Sequence, residues 1–390
     1  MVRREYWLRL IQKSWRARSV LWLAGVRRVG KTCLCQSIPR VEYFDCELPR
    51  TRRLMEDPEA FLAGLRGRSV VLDEIHRLRN PSELMKIAAD HYPDVRILAT
   101  GSSTLGASTR FRDTLAGRKR DLHLVPMCLR DLRDFGRADL RHRFVRGGLP
   151  PFFLAPELPE RDFQEWMDAY WAKDIQELFR LERRDSFQRF VELVCAQSGG
   201  IFEATRFARP CEVTRPTIAN YLKVLEATLV AHVVRPFSAH RPTEIVAAPK
   251  VYAFDTGFVC YHRGWQDLRQ EDLGLMWEHF VLNEIEAHLQ TRTVRYWRDK
   301  RGHEVDFVLL PRGGAPLAVE CKWSADGFDA ENLRAFRGKH PEGENVVVAH
   351  DVEQPFHRTC RNIVVRFDSL PSFVNRITGH RTSTQSKSAA

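Results

Sequence analysis

No run in the 390-residue chain approaches the ~18 consecutive apolar residues of a membrane span, so no membrane partner is expected. The start, Met1-Val2-Arg3-Arg4-Glu5-Tyr6-Trp7, is basic but lacks the apolar segment of a secretory leader. No C-x-x-C pair occurs, and the nine cysteines are scattered and odd in number. That excludes a zinc ribbon or disulfide scaffold and fits a reduced, cytoplasmic protein. No internal repeat is visible. Acidic residues are in deficit: 61 Lys+Arg against 50 Asp+Glu leave a formal net charge of +11. A basic surplus of this size favours polyanions, nucleic acid first among them. With 44% hydrophobic and 28% charged residues the composition is globular, not disordered. At ~100–200 residues per domain the length allows two to three domains.

What is present begins with alternation. Short apolar segments at 19–25, 42–45, 69–73, 96–100 and 119–124 are separated by helical stretches such as Pro81 to His91. This α/β pattern predicts a parallel sheet covered on both faces. Gly- and Pro-rich residues 144–159 mark a boundary, residues 160–245 read as helical, and strands and helices mix again from Lys250. The polar tail reads as disordered.

The first strand runs into Gly25-Val26-Arg27-Arg28-Val29-Gly30-Lys31-Thr32, an ungapped G-x-x-x-x-G-K-[ST] loop, and Cys33 opens a helix. Glycines let such a loop curl its N–H groups toward phosphate oxygens, and the helix start adds partial positive charge. Lys31 is expected to reach the β- and γ-phosphates of ATP, and the Thr32 hydroxyl to ligate Mg²⁺. Val70-Val71-Leu72 then pushes Asp73 and Glu74 out at a strand's C-terminal end, where ligands bind a parallel sheet. Asp73 suits the Mg²⁺ through water, and Glu74 suits orienting or deprotonating the attacking water. Ser102, after the fourth strand, suits sensing the γ-phosphate, with a helix-cap or turn serine as the alternative. Arg118 suits reaching a neighbouring subunit's nucleotide, which requires a homo-oligomer.

These motifs, with Leu72-Asp73-Glu74-Ile75-His76-Arg77 and Leu115-Ala116-Gly117-Arg118, resemble a prokaryotic AAA+-type P-loop ATPase. Members of that family carry a C-terminal domain of unknown function, represented here by Gly147-Gly148-Leu149-Pro150 and Tyr252-Ala253-Phe254-Asp255-Thr256-Gly257. The resemblance covers roughly residues 5–370. It implies a nucleotide-binding core, a winged helix and a nuclease-like C-terminal fold.

In the middle region, helices are predicted over 187–197, 202–208 and 214–226, the third capped by Thr214. Ile218, Tyr221, Leu222 and Leu225 form its apolar face; Arg215, Thr217, Asn220 and Lys223 lie opposite and suit a DNA groove. A helical module that packs on protein is the alternative. Farther on, residues 304–310 and 316–322 alternate around a glycine-rich turn and read as a hairpin. Pairing 310 with 316 sets Asp306 opposite Glu320, with Lys322 on the same face. Glu278, on an upstream helix, adds a third carboxylate. The order resembles the PD-(D/E)xK nuclease pattern, whose oxygen ligands suit Mg²⁺ and phosphodiester hydrolysis.

The expectation is thus an ATPase domain over 1–155, a helical and winged-helix module over 156–245, a nuclease-like domain over 246–375 and a disordered tail over 376–390. The leading function is an ATPase using ATP and Mg²⁺, coupled to binding of nucleic acid, duplex DNA first. The alternatives are an ATP-regulated, Mg²⁺-dependent DNA endonuclease and a slow nucleotide-switched scaffold or signalling protein.

Overall fold

The computed structural model describes residues 2–101, 114–158, 160–176, 181, 183–238, 248–311 and 314–385. Ser102 and most of the connector from Arg241 lie outside these residues. The chain forms two compact units, Met1–Asp185 with Asn220–Val230, and Ser186–Ala219 with Ala231–Ala390. The first unit therefore runs past the boundary expected after 155. Gly147-Gly148-Leu149-Pro150 lies inside it, because Leu149, Phe152 and Phe153 are buried there.

In the first unit, β1 (Val20–Ala24), β2 (Glu42–Asp45), β3 (Ser69–Asp73), β4 (Arg96–Thr100) and β5 (Lys119–His123) form a five-stranded sheet in the order β2-β3-β4-β1-β5. Every pairing is parallel. Such a sheet is covered on both faces, which is why β1 and most of β3 and β4 are unbroken apolar runs. Trp22, Val70, Leu72, Ile97 and Ala99 pack with Leu84, Met85 and Ala88 of the helix Pro81–His91. Because β4 lies between β1 and β3, the end of β1, Thr100 and Asp73 reach the same edge of the sheet.

Two helical segments flank the loop after β1. The helix Glu5–Trp15 buries Trp7, Leu8, Ile11 and Trp15, and the Trp15 indole donates to the Ile97 carbonyl at 3.1 Å. The helix Glu160–Tyr170 buries Phe163, Trp166, Met167 and Tyr170, and continues into a π-helical turn, Trp171–Ile175.

The second unit contains β6 (Gly200–Ile201), β7 (Ala231–Pro236), β8 (Lys250–Ala253), β9 (Arg295–Arg298), β10 (Glu304–Leu309), β11 (Leu317–Lys322), β12 (Asn345–Ala349), β13 (Phe356–Cys360) and β14 (Ile363–Asp368). They form one sheet, ordered β13-β14-β12-β11-β10-β9-β7-β8-β6. Val305, Val308, Ala318, Leu333, Phe336, Val347, Val365 and Phe367 make up one core of this unit. The pairs Phe307–Val319 and Leu309–Leu317 set the β10–β11 register, the one the alternating pattern implies. Between Val305 and Val308, either side of Asp306, the β10–β9 register shifts.

The middle helices are Arg184–Ala196, Ala204–Ala208 and Arg215–Ala227. Strand β7 pairs antiparallel with β8 and parallel with β9, so it also extends the large sheet. The segment from 376, expected as a disordered tail, is helical to Gln385 as part of Leu370–Gln385. No helix among the described residues is long and apolar enough to cross a membrane.

Candidate functional site

The glycine loop is forced by its neighbours. A Cβ on Gly25 would sit 2.6 Å from the Leu124 carbonyl oxygen and 2.9 Å from Val29, so only glycine fits where the loop leaves β1 beside the end of β5. Gly30 has φ +97°, in the left-handed region that side chains rarely adopt. Between them, the Lys31 ammonium donates to the carbonyls of Gly25 (2.8 Å) and Val26 (3.2 Å). Burial lowers its pKa, partly offset by the charges of Glu74, Asp174 and Asp73.

The loop is clamped from outside by residues its motif does not contain. Arg4 donates to both carboxylate oxygens of Asp131 at 2.8 and 2.7 Å, and to the Val29 carbonyl at 2.9 Å. Asp131 also accepts from the Trp7 indole and the Cys128 N–H. Both charged groups are almost fully buried, a state tolerated because they pair bidentately with each other and take further hydrogen bonds. The Trp166 indole holds the Arg27 carbonyl at 3.0 Å, while the Arg27 guanidinium meets Asp174 at 3.2 Å. Arg28 faces Asp162 and Glu165 of the same helix.

At the end of β3, Asp73 is 3% exposed and accepts from the Tyr43 hydroxyl at 2.6 Å and from the Thr100 hydroxyl. Glu74 has φ +55°, an uncommon backbone state for a non-glycine residue and one that clusters at functional sites. Its N–H donates to Thr100 and its carboxylate meets His76 Nδ1 at 3.0 Å. Burial pushes the Glu74 carboxyl up, but the His76 hydrogen bond and the Lys31 charge outweigh it and hold the group below its ordinary value.

These groups surround a cavity of about 650 Å³. Gly25, Lys31, Thr32 and Glu74 line it on the polar side; Val2, Phe135, Pro151 and Leu154 supply apolar surface. Asp73 does not line it. Arg118 does not line it either; its Nε donates to both oxygens of Asp90 at 2.8 and 3.0 Å. Sequence reasoning assigned no role to Arg4, Tyr43, His76, Lys173 or Asp174; Arg4, Lys173 and Asp174 reach the loop or its cavity from distant elements, His76 lines the cavity beside Glu74, and Tyr43 holds Asp73.

A second constellation sits in the other unit. Asp306 accepts from the Cys321 N–H at 2.8 Å, and Lys322 pairs with Glu320 at 3.0 Å. Burial raises the carboxyl pKa of both Asp306 and Glu320, and the Glu278 charge adds to it. Glu320 is 1% exposed, and its Oε1 has no hydrogen-bond partner among the described residues. Glu278 is engaged differently from the sequence expectation. Its Oε1 accepts from Lys250 at 2.9 Å and from the Tyr252 hydroxyl, and Lys250 also binds Glu304 at 2.8 Å. The structure thus gathers Glu278, Asp306, Glu320 and Lys322, and adds Lys250, Tyr252 and Glu304. On the helix Arg215–Ala227, Ile218, Tyr221, Leu222 and Leu225 are buried, whereas Arg215, Asn220 and Lys223 are exposed and Thr217 is partly so.

Residues 17–133 match the AAA domain family. Residues 137–269 and 273–370 match two domains of unknown function, DUF8612 and DUF4143. An uncharacterized protein of Mycobacterium tuberculosis is 28% identical over 345 residues, covering 85% of this chain and 76% of that one; its Mycobacterium bovis counterpart matches equally. Among solved structures, a STAND signal-transduction ATPase with a tetratricopeptide-repeat sensor from Pyrococcus horikoshii is 11% identical at a TM-score of 0.29. It covers 72% of this chain, which spans less than half, 46%, of that one. The Bacillus subtilis DNA clamp loader delta protein is 11% identical at 0.26, covering 56% of this chain and 88% of that one. At such scores the likeness is remote. The family match, the parallel five-stranded sheet and the phosphate loop together support a P-loop ATPase domain of the AAA type over the N-terminal part of the chain.

Proposed function

We propose that the protein binds and hydrolyses ATP with Mg²⁺, and that this cycle is coupled to engagement of nucleic acid by the rest of the chain. The observation that carries the proposal is one cavity holding Lys31, Thr32 and Glu74 on its polar side and apolar surface beside them, the two chemistries a purine nucleotide needs. Lys31 neutralises the phosphates, and Gly25 and Gly30 let the loop backbone approach them. Thr32 and Asp73 have the oxygen donors that suit Mg²⁺, which would supply charge neutralisation for phosphoryl transfer. Glu74, held ionised and oriented by His76, positions the attacking water or accepts its proton. Arg118 reaching a neighbour's nucleotide in a homo-oligomer remains part of the proposal, and requires Asp90 to release it.

The test uses two variants. Lys31→Ala is expected to abolish hydrolysis and weaken nucleotide binding, whereas Glu74→Gln keeps binding and loses turnover. Hydrolysis at the wild-type rate in either variant would remove the role assigned to that residue.

Two features support nucleic-acid engagement. The middle elements follow the order helix, β6, helix, helix, β7, β8, with β8 paired to both β6 and β7, as in a winged helix. The exposed row Arg215, Asn220 and Lys223 lies on its third helix. A second reading, an ATP-regulated Mg²⁺-dependent DNA endonuclease, is favoured by one observation: a buried carboxylate oxygen of Glu320 without a partner, beside Asp306 and Lys322. That donor set fits a divalent cation, which would be held by Asp306 and Glu320 and would polarise a phosphodiester. Cleavage of labelled duplex DNA with Mg²⁺, lost in Asp306→Ala while ATP turnover persists, is the outcome that reading requires. The slow-switch alternative is disfavoured by the ionised, oriented Glu74. A reducing, cytoplasmic setting belongs to the proposal, on the scattered cysteines, odd in number and without a C-x-x-C pair.

A further inference from the structure

The helix Glu160–Tyr170 does not simply end near the phosphate loop. It passes into the π-helical turn Trp171–Ile175, a rare geometry that adds a residue to the turn and is frequent at functional sites. Through this turn two consecutive residues, Lys173 and Asp174, line the nucleotide cavity. Their states differ. Asp174 is 6% exposed and is engaged by Arg27 at 3.2 Å. Lys173 is exposed and makes no ion pair among the described residues.

The other cations lining the cavity are occupied. Arg4 is held by Asp131, Arg27 by Asp174, and Arg28 by Asp162 and Glu165. Arg77 faces Glu47 at 3.7 Å, and the Lys31 ammonium lies on the loop's own carbonyls. Arg118, the cation expected from the sequence to complete the site, is taken by Asp90 and faces elsewhere. Only Lys173 presents an uncommitted ammonium to the cavity among these groups. A flexible four-carbon stem with a compact charge suits an anion that arrives and leaves with each cycle.

We infer that Lys173 binds the terminal phosphate of a nucleoside triphosphate within its own chain, so that the π-helical turn distinguishes triphosphate from diphosphate. This rests on the ATPase reading above. The turn is anchored to the loop through Trp166 and Asp174, which fixes where Lys173 starts while leaving its side chain unpaired. A diphosphate lacks the group Lys173 would touch, so the contribution appears in triphosphate affinity alone.

The test titrates the full-length chain with methylanthraniloyl-labelled ATP and ADP, following fluorescence. Lys173→Ala is expected to weaken the triphosphate roughly tenfold, the scale of one hydrogen bond to a charged group. The diphosphate should change by less than about twofold, since it forms no such bond. Lys173→Arg should restore most of the difference, and thermal unfolding of all three proteins should coincide because the side chain is exposed. Equal losses for both nucleotides, or no loss for either, would overturn the inference while leaving the ATPase reading intact. Failure of the wild-type chain to bind either nucleotide would overturn both.

Discussion

Single residues carry most of the chemistry, and the half-buried carboxyl of Asp306 and the buried one of Glu320 show how charge and stability are linked. Burial is the leading cause that raises both, with Glu278 adding repulsion and Lys250 and Lys322 opposing it. An unfolded carboxyl ionises near ~4. A folded carboxyl raised above that value holds its proton longer, so the native state binds more protons in the window between the two. Stability contributed by these groups is therefore present below the unfolded pKa and falls as pH rises through the folded one. A divalent cation between the two carboxylates would reverse that loss. Added Mn²⁺ is expected to raise the unfolding temperature clearly at about pH 7.5 and little at about pH 5, where protons compete. Glu320→Gln should abolish the response. A wild-type protein indifferent to Mn²⁺ at both pH values would remove the cation reading of this pocket.

At the scale of elements, the helix Arg215–Ala227 gives the sharpest expectation. Thr214 caps it, accepting from the Thr217 N–H at 3.4 Å, while its hydroxyl meets that of Thr217 at 2.9 Å. Arg215 and Lys223 are exposed on one side. If they contact duplex phosphates, Arg215→Ala and Lys223→Ala should each weaken binding and flatten the log-affinity against log-salt slope by ~0.9. Unchanged affinity and slope in both would place protein, not DNA, against this face. Element boundaries of this kind were largely legible in the sequence. Buried parallel strands such as β1 and β3 read as unbroken apolar runs. The hairpin register of β10 and β11 followed from period-two alternation on either side of a glycine turn. Four things were not legible. Alternation does not say which strands become neighbours, so nothing linked Lys250 and Tyr252 of β8 to Glu278. A π-helical turn breaks the 3.6-residue period silently, which hid Lys173 and Asp174. Gly147-Gly148-Leu149-Pro150 carries the composition of a domain border, yet the apolar residues right after it bury themselves in the first unit. The P-loop and Asp73-Glu74 were legible because their chemistry is local; Arg4 and Asp131, 127 residues apart, were not.

For the whole molecule, the question is whether the ATPase unit and the rest of the chain act as one machine. The net charge of +11 supplies attraction to DNA without sequence information, so binding alone does not establish coupling. Thermodynamic linkage does. If ATP changes the affinity for duplex DNA by some factor, DNA must change the affinity for ATP by the same factor. Glu74→Gln is the protein to use, because it is expected to hold ATP without consuming it and so permits equilibrium measurement of both ligands. Duplex affinity measured with and without saturating ATP, and ATP affinity measured with and without saturating duplex, should shift by matching factors, roughly 5–150-fold for typical coupling energies. Salt is held constant across the four titrations, since the electrostatic part alone moves DNA affinity by orders of magnitude. In the wild-type chain, DNA should then also alter ATP turnover, whose kinetic effect need not be symmetric with the binding effect. Two affinities that ignore each other, with turnover unmoved by DNA, would mean that the units work independently; ATP hydrolysis would then serve some task other than nucleic-acid engagement.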